Sequence, residues 1–206
     1  MVSFGACTFS TSVSYSLYLA WGECNSMTSF PTVDLSKAND CRYAWYACTA
    51  LTSFPALDIS SCTTFWRAWW ANSSSVSFGA CIMDKGQTFE GAWYQNSSLT
   101  TFPAGVFDDW NPASITTDCF KDAWDTCTAL TEQSVENILL SISASGQWAT
   151  STGTSSGTPL AGKEITIDSN NVNVDNLSAS NRAACTALQS RGWEVVINGS
   201  VVSEYA

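Results

Sequence analysis

The stretch AWYACTALTSFPALDISSCTTFWRAW, residues 44–69, opens and closes on the same Ala-Trp pair, and its two pair tryptophans, Trp45 and Trp69, stand 24 residues apart. Outward from it the pair recurs at Trp21 and Trp93 at the same interval, and again at Trp124 after a seven-residue insertion. Self-similarity with a period of roughly 20–50 residues marks chains whose units cannot bury an apolar face alone and must stack to make a core.

Counting from each tryptophan exposes the positions that such a stack needs. Three residues later stand Cys24, Cys48, Asn72, Asn96 and Cys127; six later, Met27, Leu51, Ser75, Leu99 and Leu130; nine later, Phe30, Phe54, Phe78, Phe102 and Gln133. Four residues before it stand Leu17, Cys41, Phe65, Phe89 and Phe120. Apolar columns at fixed offsets, with Ser and Thr between them, describe a coil with an inward and an outward side, which is a solenoid. Each coil is expected to carry one short strand at the Leu-x-x-Phe-Pro segment, ended by Pro31, Pro55 or Pro103, and a short helical or 3₁₀ turn around Ala-Trp.

The unit over residues 44–69 resembles the Treponema-type, BspA-like branch of the leucine-rich repeats, whose units read A-F-x-x-C, then L-x-x-I, then a proline and a turn. Trp stands where that family has Phe, and Phe-Pro where it has an Ile-centred strand. The resemblance covers roughly residues 16–134. Its aromatic variant is similar to repeats of virion and tail-associated proteins of marine bacteriophages, in which a strand like RGWEVVING, here residues 191–199, follows the array. The implied fold is an α/β solenoid: a leucine-rich-repeat-like, right-handed stack of 24-residue coils with short parallel strands. It would span residues 1–133, with a partial first coil at 1–15 containing one FGAC copy, and a small α/β C-terminal cap would span 134–206. The family also implies that Cys24, Cys48, Asn72, Asn96 and Cys127 form a structural ladder, bonding the backbone of the turn inside the coil.

Composition narrows the partners. The chain has 206 residues, 18 acidic against 8 basic, no histidine and a net charge of −10. A nucleic-acid interface needs clustered Lys and Arg, so nucleic acid is not an expected partner. No apolar run reaches the length of a membrane span, and Met1-Val2-Ser3-Phe4 shows neither a basic nor an apolar leader, so neither membrane insertion nor a secretory signal is expected. The nine cysteines alternate in their columns with Asn, Leu, Phe and Val. Without a C-x-x-C pair or a histidine they read as buried free thiols rather than a zinc set, although Cys24 and Cys48 are column mates close enough to oxidise.

After Leu130 the period stops. Residues 134–142 read as a Ser/Thr-capped helix with Val135, Ile138, Leu139 and Ile142 on one face, 164–168 as a strand, 178–191 as a helix stopped by Gly192, and 193–197 as a strand entering an Asn198-Gly199 hairpin. A terminal unit of different sequence is the usual cover for an exposed stack end. The insertion, residues 107–112, reads as a solvated acidic loop; Asp108, Asp109 and Asp118 lack the spacing of a calcium loop.

Catalytic residues are sparse. Without histidine, Ser-His and Cys-His pairs are excluded. Among Glu23, Asp34, Asp58, Asp84, Glu90 and Asp122, the three aspartates at 34, 58 and 84 share a repeat offset and suit turn capping. Neither a catalytic set, a metal nor a cofactor is expected. Asn72, Asn96, Asn176 and Asn198 open glycosylation sequons, but Asn72 and Asn96 lie in the inward column. The outward Thr and Ser columns have the spacing of ice-binding hydroxyl arrays, interrupted by Val76.

The surface feature that suggests binding is aromatic. Directly after the repeat tryptophan come Gly22, Tyr46, Trp70, Tyr94 and Asp125. With the tryptophan inward, Tyr46, Trp70 and Tyr94 should stack along one flank with Trp66 nearby, either as a ligand-binding surface or as an outer layer of the core. The expected function is a non-enzymatic virion structural protein, a tail-associated subunit for receptor binding or host adhesion. A capsid or tail decoration and assembly protein, and a bacterial BspA-like surface adhesin, are the alternatives. Partners would be other virion proteins and a host cell-surface glycan or protein, with a homo-oligomer open. The expected location is the virion or, in the adhesin alternative, the cell surface.

Overall fold

The computed structural model describes residues 8–203; the FGAC copy at residues 4–7 lies outside them. Around each repeat tryptophan the chain makes overlapping turns. In the first unit Ala20 N–H donates to Leu17 O, Gly22 to Leu19 O and Cys24 to Trp21 O, at 2.9, 3.2 and 3.3 Å. The alternate N–H groups donate instead to the next unit: Leu17 to Asp40, Leu19 to Arg42, Trp21 to Ala44 and Glu23 to Tyr46, at 2.6–3.1 Å. Cys41, Tyr43, Trp45 and Ala47 repeat this toward Thr64, Trp66, Ala68 and Trp70, and the pattern survives the insertion, where Trp93 donates to Ala123.

This alternation requires positive φ two residues before and two after each tryptophan, at Leu19 and Glu23, Tyr43 and Ala47, Arg67 and Ala71, Gly91 and Gln95, Asp122 and Thr126. A non-glycine residue held there costs on the order of 1–3 kcal/mol; the bonds between units offset it, each at about 1 kcal/mol net. The expected helical or 3₁₀ turn is therefore corrected. A helix would keep its N–H groups for its own segment and leave none for the neighbouring unit.

Parallel pairing at the repeat interval links the units elsewhere as well. Strand β1 (Tyr15–Ser16) pairs with β2 (Ala38–Asp40), while β3 (Ser53–Phe54) pairs in register with β4 (Ser77–Phe78) and Ser77 bridges on to Thr101. Further bridges join Asp58 to Ile82 and Thr64 to Thr88. Pairing thus occurs at several points around each unit rather than only at the Phe-Pro segment.

The columns become stacks. Trp21, Trp45, Trp69, Trp93 and Trp124 lie ring over ring at 4.9–5.4 Å, with interplanar angles of 1–11°. Phe30, Phe54, Phe78 and Phe102 stack beside them at 5.3–5.6 Å and meet the indoles edge-on. Phe65, Phe89 and Phe120 form a third row at 5.0 and 5.3 Å. Offset-stacked and edge-to-face geometries are the favourable ones for aromatic pairs. Among the described residues Phe9 sets its edge on Trp21 at 6.0 Å.

Strand β5 (Phe120–Trp124) holds the last repeat tryptophan and pairs in parallel with β6 (Glu164–Ile167), which pairs with β7 (Glu194–Ile197); β8 (Ser200–Val201) closes an antiparallel hairpin. Helices α1 (Glu132–Ala144) and α2 (Ala179–Ser190) form the crossovers and pack on each other. The apolar face expected for the first helix, Val135, Ile138, Leu139 and Ile142, is fully buried, and its Ser/Thr cap is Thr131, so the helix starts at Glu132 rather than at 134. Asn198 and Gly199 adopt positive φ in the hairpin turn, as a two-residue connection demands. Because β5 belongs to the last repeat and pairs with β6, the sheet crosses the expected boundary at 133/134.

Side chains replace the missing next unit. Ser134 Oγ accepts the Phe102 N–H at 3.0 Å and donates to Thr100 O at 2.9 Å, while Asn137 Nδ2 donates to Phe102 O at 2.9 Å. The insertion is less solvated than its composition suggests. Trp110 is buried, donates from Nε1 to Gly86 O at 2.6 Å and meets Phe120 at 5.1 Å, while Asp108 and Asp109 stay exposed.

Candidate functional site

The inward polar column works between units rather than inside one turn. Asn72 Oδ1 accepts the Cys48 N–H at 2.8 Å, and Asn96 Oδ1 accepts the Asn72 N–H at 2.7 Å. Where the next member is cysteine, the N–H returns to its own tryptophan carbonyl, and the thiol joins it there: Cys48 Sγ and Cys127 Sγ donate to Trp21 O and Trp93 O, each at 3.0 Å. The eight described cysteines are free, with Cys24 half-buried and the others buried. Burial pushes the Cys48 and Cys81 thiols up to about 12 and Cys185 to about 11, and raises Cys119 and Cys127 further, which suppresses the reactive thiolate.

Asp34 and Asp58 accept the N–H groups of Ser36 and Ser60 at 2.9 and 3.0 Å, a turn-capping geometry. No three His, Cys, Asp or Glu side chains group as metal ligands among the described residues, where Asp118 lies 4.0 Å from Lys121. The Thr hydroxyls expected to form an outward array are engaged: those of Thr52, Thr63, Thr100, Thr116 and Thr131 donate to carbonyls of the preceding unit. No described helix is long and apolar enough to cross a membrane.

A carboxylate pair that the repeat pattern did not reveal lies where the last repeat meets the sheet. Asp125 and Asp168 both line an open groove of about 690 Å³, and Asp168 Oδ2 accepts the Thr126 N–H at 2.9 Å. Burial first, then Asp168 and the Asp122 charge, raise the Asp125 carboxyl from 3.8 to about 6. A raised folded-state value means that the folded chain holds this proton more tightly. Its stabilising contribution is complete below pH 4 and is lost as the pH rises through 6. Asp125→Asn should therefore flatten that loss and stabilise the fold at pH 7.5. Two units correspond to about 2.7 kcal/mol, which solvent screening at this partly exposed site reduces to about 1 kcal/mol. Urea unfolding of both forms at pH 4.5 and 7.5 checks this, and equal stabilities at pH 7.5 would refute it.

The aromatic flank follows from the turn geometry. The columns three before, two before and one after the tryptophan project from the same run of turns: Tyr18, Leu19 and Gly22; Arg42, Tyr43 and Tyr46; Trp66, Arg67 and Trp70; Glu90, Gly91 and Tyr94. Tyr46 and Trp70 lie 4.9 Å apart, and Trp70 and Tyr94 6.1 Å apart. Trp66 does not join that row directly. It meets Tyr43 at 5.0 Å, and Tyr43 also touches Tyr46 at 5.6 Å and Trp70 at 6.2 Å. Arg67 lies across both indoles, with Cζ 5.1 Å from the Trp66 ring and 4.6 Å from the Trp70 ring, its stem passing over Gly91. Trp70 Nε1 donates to Gln95 Oε1 at 3.1 Å.

All four expected residues, Tyr46, Trp66, Trp70 and Tyr94, are half-buried, with Tyr46, Trp70 and Tyr94 in one row and Trp66 reached through Tyr43. Tyr43 and Arg67 escaped the sequence reading because their column, Leu19, Tyr43, Arg67, Gly91 and Asp122, has no shared chemistry. What unites it is its place two residues before the tryptophan. Tyr18, Leu19, Tyr43, Tyr46 and Trp70 line an open pocket of about 340 Å³ at the N-terminal end of the flank. Compared with protein-family models, curated proteins and solved structures, the chain matches none.

Proposed function

We propose that this chain is a non-enzymatic binding subunit whose aromatic flank contacts a receptor, and that it serves in a bacteriophage virion as a tail-associated host-adhesion protein. In this reading residues 16–133 form a right-handed, leucine-rich-repeat-like solenoid and the C-terminal segment caps it. The observation that carries the binding role is the flank: rings on successive units, held by paired backbone yet half-exposed, present a preorganised surface with little rotamer entropy left to lose. Aromatic anchors of this kind dominate contact energies. The virion assignment rests on the resemblance of the repeat units alone. A decoration protein that binds other virion subunits is the second reading, since the same flank would serve it.

The double variant Tyr46→Ser with Trp70→Ser tests the role of the flank. Stability should fall by about 1–2 kcal/mol, because two half-buried rings leave a layer outside the core. Attachment to host cells or to purified cell-wall glycan should drop at least tenfold, with an unchanged circular dichroism spectrum. Normal adsorption with failed incorporation into particles would favour the decoration reading. A folded variant with normal adsorption and normal assembly would remove the flank as a binding surface.

A further inference from the structure

The column after the tryptophan supplies a ring at Tyr46, Trp70 and Tyr94, but Gly22 supplies none. Gly22 borders Leu19 and Tyr43, two of the residues lining the pocket of about 340 Å³, within the ~300–1,000 Å³ typical of small-molecule sites. Four of its five lining residues are aromatic, and the fifth is Leu19. The hydroxyls of Tyr18, Tyr43 and Tyr46 have no hydrogen-bond partner among the described residues. These residues bring to the pocket three groups that can each donate and accept.

We propose that this gap is a subsite for one neutral pyranose ring, which stacks on Tyr46 and completes the ring ladder at the rung that Gly22 leaves open. This rests on the flank being the binding surface. A pyranose has an apolar C–H face and a hydroxyl edge, matching rings bordered by phenols. An aromatic side chain from a protein partner would cover the rings and leave all three phenols unengaged. The lining residues carry no charge, and nearby Arg42 is held by Asp40 at 2.7 Å. The Arg67 guanidinium is engaged by the faces of the Trp66 and Trp70 rings, and the net charge of −10 disfavours an anionic sugar.

Gly22→Trp fills the gap from within. Gly22 does not occupy the positive-φ region, and the atoms nearest an added Cβ are Leu19 Cδ2 at 3.1 Å, the end of an exposed side chain, and backbone oxygens at 3.5 and 3.6 Å. The variant should therefore unfold at the wild-type temperature, and Gly22→Ala serves as the control that leaves the gap open. Binding is measured by saturation-transfer NMR with dextran, mannan and galactan as neutral probes, and with polygalacturonate and a tryptophan-containing peptide as the other classes. The wild type and Gly22→Ala should bind at least one neutral polymer, and Gly22→Trp should bind it at least tenfold more weakly. Binding by Gly22→Trp equal to wild type, or wild-type binding confined to polygalacturonate or the peptide, would overturn the subsite. If Tyr46→Ser with Trp70→Ser abolishes adsorption while Gly22→Trp does not, only the subsite falls; if both variants adsorb and assemble normally, the flank reading falls with it.

Discussion

Replacing Trp45 with alanine should cost about 3–5 kcal/mol, the range for deleting a large aromatic side chain from a core. Trp45 is fully buried between Trp21 at 5.4 Å and Trp69 at 5.3 Å, and receives Phe30 and Phe54 edge-on at 5.5 and 4.9 Å. Its removal opens a void that neither neighbouring indole can close, since each is fixed by its own unit's backbone bonds. The loss should spread to the adjoining units, because stability in a stack is a nearest-neighbour property. Trp45→Phe is the informative companion. It keeps a ring in the row and loses no hydrogen bond, since Trp45 Nε1 has no partner among the described residues, so it should cost less than half as much. Urea unfolding followed by circular dichroism measures both, and a loss under about 1 kcal/mol for the alanine variant would contradict the stacked core.

Asn72→Ala should cost about 2–3 kcal/mol: it leaves the buried Cys48 N–H without the acceptor it now has at 2.8 Å and adds a small void. Asn72→Cys should cost no more than about 1 kcal/mol, less than alanine although it too removes the amide acceptor. The first unit shows why: there the Cys24 N–H bonds Trp21 O, and the Cys48 thiol donates to the same oxygen. A cysteine at 72 can set up the same pair on Trp45 O. Equal losses for the two variants, measured by chemical unfolding under reducing conditions, would show that the column tolerates only its present residue.

Legibility varied with the kind of interaction. The tryptophan and phenylalanine rows were readable from spacing because burial acts on residue type, and residues repeated at one offset meet the same environment in every unit. The Asn198-Gly199 hairpin and the stop at Gly192, with φ of +86°, were readable because backbone chemistry there is local. The turn conformation around Ala-Trp was not. Tyr43, Ala47, Arg67 and Ala71 have no intrinsic preference for positive φ; they take it because alternate N–H groups must reach a neighbouring unit. Of the flank, Tyr46, Trp66, Trp70 and Tyr94 could be named from their columns, whereas Tyr43, Arg67 and the gap at Gly22 emerged only from the neighbours around them.

The sequence by itself determined the period, which columns turn inward, the cysteine and asparagine column, and most elements after residue 130, since each follows from burial or from chemistry within a few residues. Tertiary structure alone decided the rest. It placed β5 against β6 across 40 residues of chain, buried Trp110 from a loop that reads as polar, and brought Asp125 to Asp168. These contacts join segments that share no repeat register, so no spacing announces them, and each is set by which surfaces the stacked units leave open for the following chain to cover.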